Sequence, residues 1–199
     1  MEKELQYFEI EGSYGGCQDW FRDFMMKIGG CAAATACDSS ICFDLYKGTD
    51  VCPVDVHDLS IKTYRLFSRI MKPYLRPRWR GVDKLEIYID GFTRYLRDKG
   101  ETTISMTPLH GSCSFVEAAA ALRKQIDDGW PIPILTLHHS DPDFSFYEWH
   151  WYLLTGYRTD GERLMAKAVT YGSWRWLDFE RLWDTGYEEK GGLVLYHRD

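Results

Sequence analysis

Gly29-Gly30-Cys31-Ala32-Ala33-Ala34-Thr35-Ala36 is the stretch on which the reading of this 199-residue chain turns. Two glycines punctuate the chain and a cysteine then opens a run of small helix formers, which predicts a sharp turn into a helix. Apolar positions Ala34, Cys37, Ile41 and Leu45 recur at helical spacing to about Tyr46, and no charge appears before Asp38. That pattern predicts a buried central helix. A thiol in its first turn meets unpaired backbone N–H groups and the positive end of the helix dipole, which favour the thiolate and lower its pKa. The same N–H groups can hold an oxyanion. A small apolar residue packed at a tight helix entry fits the same letters, because free cysteine is among the most buried residue types. The two readings are separated by whether a base can reach the sulfur.

Upstream of this stretch a short strand is predicted over 4–10, then a glycine-rich loop over 11–16 and an amphipathic segment after Cys17. Downstream, Asp58 can cap a helix from Leu59 to about Met71, ended by Pro73 and Pro77. Val82, Leu85, Ile89, Phe92 and Leu96 form the apolar face of the next helix. A strand over 101–106 follows, and Ser114-Phe115-Val116-Glu117 is a capping box opening a helix that Gly129-Trp130-Pro131 ends. The character then changes to strands at 132–137, 149–157, 164–170, 174–177 and 193–196, with a helical turn near 177–183. Helices first and strands second is the α+β pattern. With no linker or repeat, one domain over 1–199 is expected, its helical lobe at about 17–128 and its antiparallel β lobe at about 130–199.

Composition narrows the function classes. The formal charge of −6 argues against nucleic acid or an anionic membrane as the main partner. No apolar run approaches membrane-spanning length, and the first residues lack a basic-then-apolar signal pattern, so a cytoplasmic protein is expected. The six cysteines include no C-x-x-C pair, which argues against zinc and, without a secretion signal, for reduced thiols. Eight Trp and thirteen Tyr exceed a minimal core and fit an aromatic-walled cleft as well as core packing. Arg76-Pro77-Arg78-Trp79-Arg80 reads as a solvated turn between helices.

Among six histidines, His150 stands out because it begins an apolar strand beside aromatics, where an imidazole can be held in orientation and still face a cleft. His138-His139 with Asp141 and Asp143 offers a metal cluster, but strand alternation would put the two imidazoles on opposite faces, so no metal is assigned. Gln18 has a side-chain amide that can donate to an oxyanion. Trp149 and Trp151 flank His150 as candidate cleft walls, and Gly30 allows close approach of a substrate backbone to Cys31.

Gln18 with Gly30-Cys31-Ala32-Ala33-Ala34, then Gly129-Trp130-Pro131-Ile132-Pro133-Ile134, then His150-Trp151-Tyr152-Leu153-Leu154-Thr155-Gly156-Tyr157, then Tyr171-Gly172, resemble the papain-like cysteine peptidases, and among them the bacterial C39-like branch. The resemblance spans 17 to about 183 in the family's order of glutamine, cysteine, histidine. It implies a thiol peptidase or amide hydrolase without cofactor, acting on a peptide or other amide. Cys31 would be the nucleophile, His150 the general base, and Gln18 with the Cys31 N–H the oxyanion hole. Ala32 stands where the family usually has Gly, and the gap from Gln18 to Cys31 is longer than usual. The Asn or Asp that orients the histidine falls in register on Val169, which cannot accept a hydrogen bond; Thr170, Ser173 or Asp19 are the substitutes within reach. A relative that binds peptide without cutting it, and an acyl transferase using the same pair, share these residues.

Overall fold

The central helix forms where its residues require it. In the computed structural model, which describes residues 2–78 and 81–198, α2 runs Cys31–Tyr46 and is buried almost all round. Such a helix belongs inside the molecule, because it has no polar face to give to water. Its short side chains let it lie close to its neighbours, and Ser40 Oγ, which would otherwise be an unpaired polar atom, donates to Ala36 O at 2.8 Å. The short α1 (Phe24–Gly29) leads into α2, and four further helices surround the sheet: α3 (Ile61–Met71), α4 (Leu85–Asp98), α5 (Phe115–Asp127) and the short α6 (Phe179–Trp183). Both α3 and α5 open with reciprocal capping boxes, on Ser60/Thr63 and Ser114/Glu117.

The main sheet is antiparallel, with the spatial order β4 (Ile104–His110), β9 (Gly191–Arg198), β5 (Ile132–Thr136), β6 (His150–Asp160), β7 (Arg163–Thr170), β8 (Ser173–Asp178). The N-terminal strand β1 (Glu2–Glu4) adds to β6, and β2 (Glu9–Ile10) pairs with β3 (Ser13–Tyr14) apart from it. Alternation sorts the central strands onto two cores. Leu135, Trp151, Val194 and Tyr196 pack with α2, α3 and α4, whereas Ile134, Tyr152, Leu154 and Leu193 pack with α5 and α6. The sheet is therefore covered on both faces, and that is why β5 and β6 read as continuous apolar runs. Burying each large side chain of these cores contributes about 1.5–3 kcal/mol.

The chain is α+β, and several expectations need correction. The helical and β segments are not separate in space: β4 lies in the sheet beside β9, and α5 covers the face opposite α2. The strand expected over 4–10 is divided into β1 and β2, because Lys3 and Glu4 are drawn to β6 where that strand bulges between Leu154 and Tyr157. Gly156 makes room for this, since a Cβ there would lie 2.9 Å from Lys3 O. Ser60, not Asp58, caps α3. His138 and His139 follow the end of β5 instead of alternating along it. Of the basic cluster at 76–80, Trp79 and Arg80 lie outside the described residues.

Candidate active site

Residues from four distant segments line one small cavity of about 20 Å³: Gln18 before α1, Cys31 at the start of α2, His150 at the start of β6, and Thr170 at the end of β7. That volume is room for roughly one water. Cys31 is 5 % exposed and His150 is 6 % exposed, so both side chains are held away from solvent.

Cys31 arrives here because α1 (Phe24–Gly29) ends on Gly30, whose N–H donates to Met26 O at 2.9 Å, and α2 begins at the next residue. The sulfur faces the backbone N–H groups of Cys31, Ala32 and Trp151, all of which favour the thiolate. Burial nevertheless outweighs them and pushes the thiol pKa up. The lowering expected from a helix N-terminus is present as a contribution and loses to desolvation. Gly30 does not line the cavity: a Cβ there would lie 2.3 Å from Met26 O, so its absent side chain serves the α1–α2 junction.

His150 is oriented by the β7–β8 hairpin. Tyr171 and Gly172 both have positive φ, 50° and 70°, the two-residue turn that matches strand twist. This tip brings Thr170 Oγ1 to 2.7 Å from His150 Nε2 and stacks the Tyr171 ring on the imidazole at 5.0 Å and 10°. Val169 is buried beside them and offers no hydrogen bond. A hydroxyl brings no charge to the imidazole, and burial alone lowers the His150 pKa to about 4. At neutral pH the cavity thus holds a neutral thiol and a neutral imidazole. Among the described residues the hydrogen bond shown for the His150 ring runs to Thr170, and those shown for the Cys31 sulfur come from backbone N–H groups.

Gln18 spans the insertion that sequence spacing flagged. Its Nε2 donates to Lys27 O of α1 at 2.8 Å, and its buried Oε1 has no partner. One N–H of the amide remains for an oxygen in the cavity. The two tryptophans part company. Trp149 has φ 53°, is 45 % exposed, and lines a groove of about 570 Å³ with His110, Leu137 and Glu188. The Trp151 indole is instead in the core, stacked on Tyr88 at 4.5 Å and donating to Val82 O, so only its backbone serves the site. His139 spends both ring nitrogens on the Asp141 N–H and Arg181 O, while His138 lies against Trp149 and Tyr187.

Two residues of the cavity region carry no assigned role in the sequence reading. Asp38, two turns along α2 from Cys31, lines the same cavity, and its signal is that it is the first of the helix's two carboxylates, set among small and apolar residues. Tyr171 carried its signal as an aromatic before the hairpin glycine. Comparison of the chain with protein-family models gives no match. A search of curated proteins likewise finds no relative.

Proposed function

We propose that this chain is a papain-like thiol hydrolase of peptide or other amide bonds, with Cys31 as nucleophile and His150 as general base. The observation that carries the reading is the convergence of Gln18, Cys31, His150 and Thr170 on one small cavity. With Nε2 of His150 engaged by Thr170, Nδ1 is the nitrogen available to the thiol. Because both groups rest neutral, proton transfer accompanies attack: His150 takes the Cys31 proton as sulfur bonds to the carbonyl carbon. The developing oxyanion meets the free N–H of Gln18 and the N–H of Cys31. The C–N bond then breaks, the imidazolium protonates the leaving amine, and water hydrolyses the thioester. The groove beside Trp149 gives the substrate chain a surface outside the cavity.

A second reading, a peptide binder that cuts slowly or not at all, is supported by the burial of Cys31 and His150 and by the hydrogen bond of His150 to Thr170 instead of Cys31. The six free thiols fit a reducing, cytoplasmic setting. Among the described residues no helix is long and apolar enough to cross a membrane. The test is hydrolysis of a mixed peptide library followed by mass spectrometry. New peptide termini that vanish in Cys31→Ser and in His150→Ala support the hydrolase; library peptides retained uncut on the protein support the binder.

A further inference from the structure

Asp38 is the most heavily committed side chain around the cavity. Its Oδ2 accepts from the Tyr7 hydroxyl at 2.9 Å and from the Gly16 N–H at 3.1 Å, and its Oδ1 accepts from the Tyr64 hydroxyl at 2.7 Å. The Gly15-Gly16 loop is moulded onto this group. A Cβ on Gly16 would lie 2.0 Å from the Tyr64 ring, and one on Gly15, where φ is +80°, would lie 2.7 Å from Tyr7.

The same loop holds both arms of the site. Gly16 leads through Cys17 directly to Gln18. On the other side Gly16 O accepts from the Gly172 N–H at 3.1 Å, and Tyr14 N–H donates to Gly172 O at 2.9 Å. Gly172 is the tip of the hairpin whose Thr170 and Tyr171 hold His150. A continuous set of contacts therefore runs from Asp38 to Gln18 in one direction and to His150 in the other.

Resting on the reading of Cys31 and His150 as a reacting pair, we propose that Asp38 is the positioning residue of the site, its carboxylate fixing the Gly15-Gly16 loop that sets both Gln18 and the His150-holding hairpin. Support comes from what the charge costs. Burial raises the Asp38 pKa to about 6 in spite of three donors, so the ionised form weakens the fold at neutral pH. A fold-only role would be served better by a neutral isostere. The groups facing Asp38 do not titrate in this range. Tyr7 from the N-terminal segment, Tyr64 from α3, Cys17 from the loop, and Cys37 and Cys42 from α2 are all pushed upward.

Asp38→Asn tests this on the full chain, because Asn can still accept from Tyr7 and Gly16 while the Tyr64 hydroxyl turns to Ala34 O, 3.2 Å away. Three quantities are read: melting temperature, alkylation of Cys31 by iodoacetamide from pH 5 to 8, and the NMR signals of the His150 ring and the Gln18 side-chain amide, whose hydrogen bonds run to Thr170 and Lys27 and not to Asp38. Asp38→Asn is expected to melt no lower than wild type at pH 7.5, yet to slow His150-dependent alkylation about ten- to a hundredfold, the scale of a misplaced reacting group. The alkylation limb near pH 6 disappears, and the His150 and Gln18 signals move. Tyr64→Phe gives a smaller effect in the same direction. A folded Asp38→Asn with wild-type alkylation and unmoved signals overturns the proposal. If His150→Ala leaves the wild-type Cys31 rate unchanged, the reacting-pair reading fails separately. The positioning role then stands if the two signals move in Asp38→Asn and falls if they do not.

Discussion

Thr170 shows how much a single hydroxyl carries here. Among the described residues its Oγ1 is the one hydrogen-bond partner of His150 Nε2, and the imidazole is buried. Replacing Thr170 by Val keeps the shape and strands a ring nitrogen, so the fold should lose about 1–3 kcal/mol, measured by urea unfolding at pH 7.5. An unchanged stability would mean that water reaches Nε2. The position was legible in the sequence only as a fallback beside Val169. Register placed the orienter one residue away, and only the hairpin's two positive-φ residues decide which side chain turns toward the imidazole. Likewise, the helix-dipole argument at Cys31 named a real influence, but its opponent, burial, depends on β6 lying over the thiol. No local stretch of sequence contains that fact.

At the scale of elements, local signals were read well. The helix opened by Cys31 ends at Tyr46 as its periodicity indicated, and the Ser114 capping box is made with both of its bonds. These features are settled within one or two turns of chain. What could not be read locally is where elements meet. Glycines at 16 and 30 looked like flexible punctuation, yet each marks a backbone pressed against another element. Gly30→Ala would drive a Cβ into Met26 O, part of the rigid α1 backbone, and so must shift α1 against α2. The expected cost is about 1–3 kcal/mol, read as a lower urea midpoint. Because Lys27 O on α1 holds Gln18, the Gln18 side-chain amide signals should move with it. A variant with wild-type midpoint and signals would show that the junction yields freely.

For the whole molecule, two buried groups give opposite pH dependences. His150 falls from an ordinary 6.5 to about 4, so between those values the native state binds fewer protons than the unfolded chain, and stability rises with pH. Asp38 climbs from 3.8 to about 6, so over nearly the same window the native state binds more protons, and stability falls with pH. Each contribution is about 3 kcal/mol across its window, and in the wild type they largely offset. Removing one exposes the other. Between pH 4.5 and 6.5, His150→Gln should lose stability as pH rises, and Asp38→Asn should gain it, in parallel series of urea unfolding curves. Slopes of the same sign in both variants would refute the assignment of buried, oppositely perturbed groups. The two-sided sheet that creates this interior could be inferred only in part: strand composition announced buried strands, but not that α5 would cross to the face opposite α2.

The central claim is that Cys31 and His150 act as a pair, and it is tested most directly by alkylation of the six cysteines with iodoacetamide, resolved by mass spectrometry across pH, in wild type and His150→Ala. The account predicts that Cys31 reacts at neutral pH faster than its buried thiol alone would allow. His150→Ala should slow Cys31 by about a hundredfold, the lower end of a general base's contribution, and leave the other five cysteines unchanged. A Cys31 rate that is the same with and without His150, following only the titration of an isolated buried thiol, would contradict it.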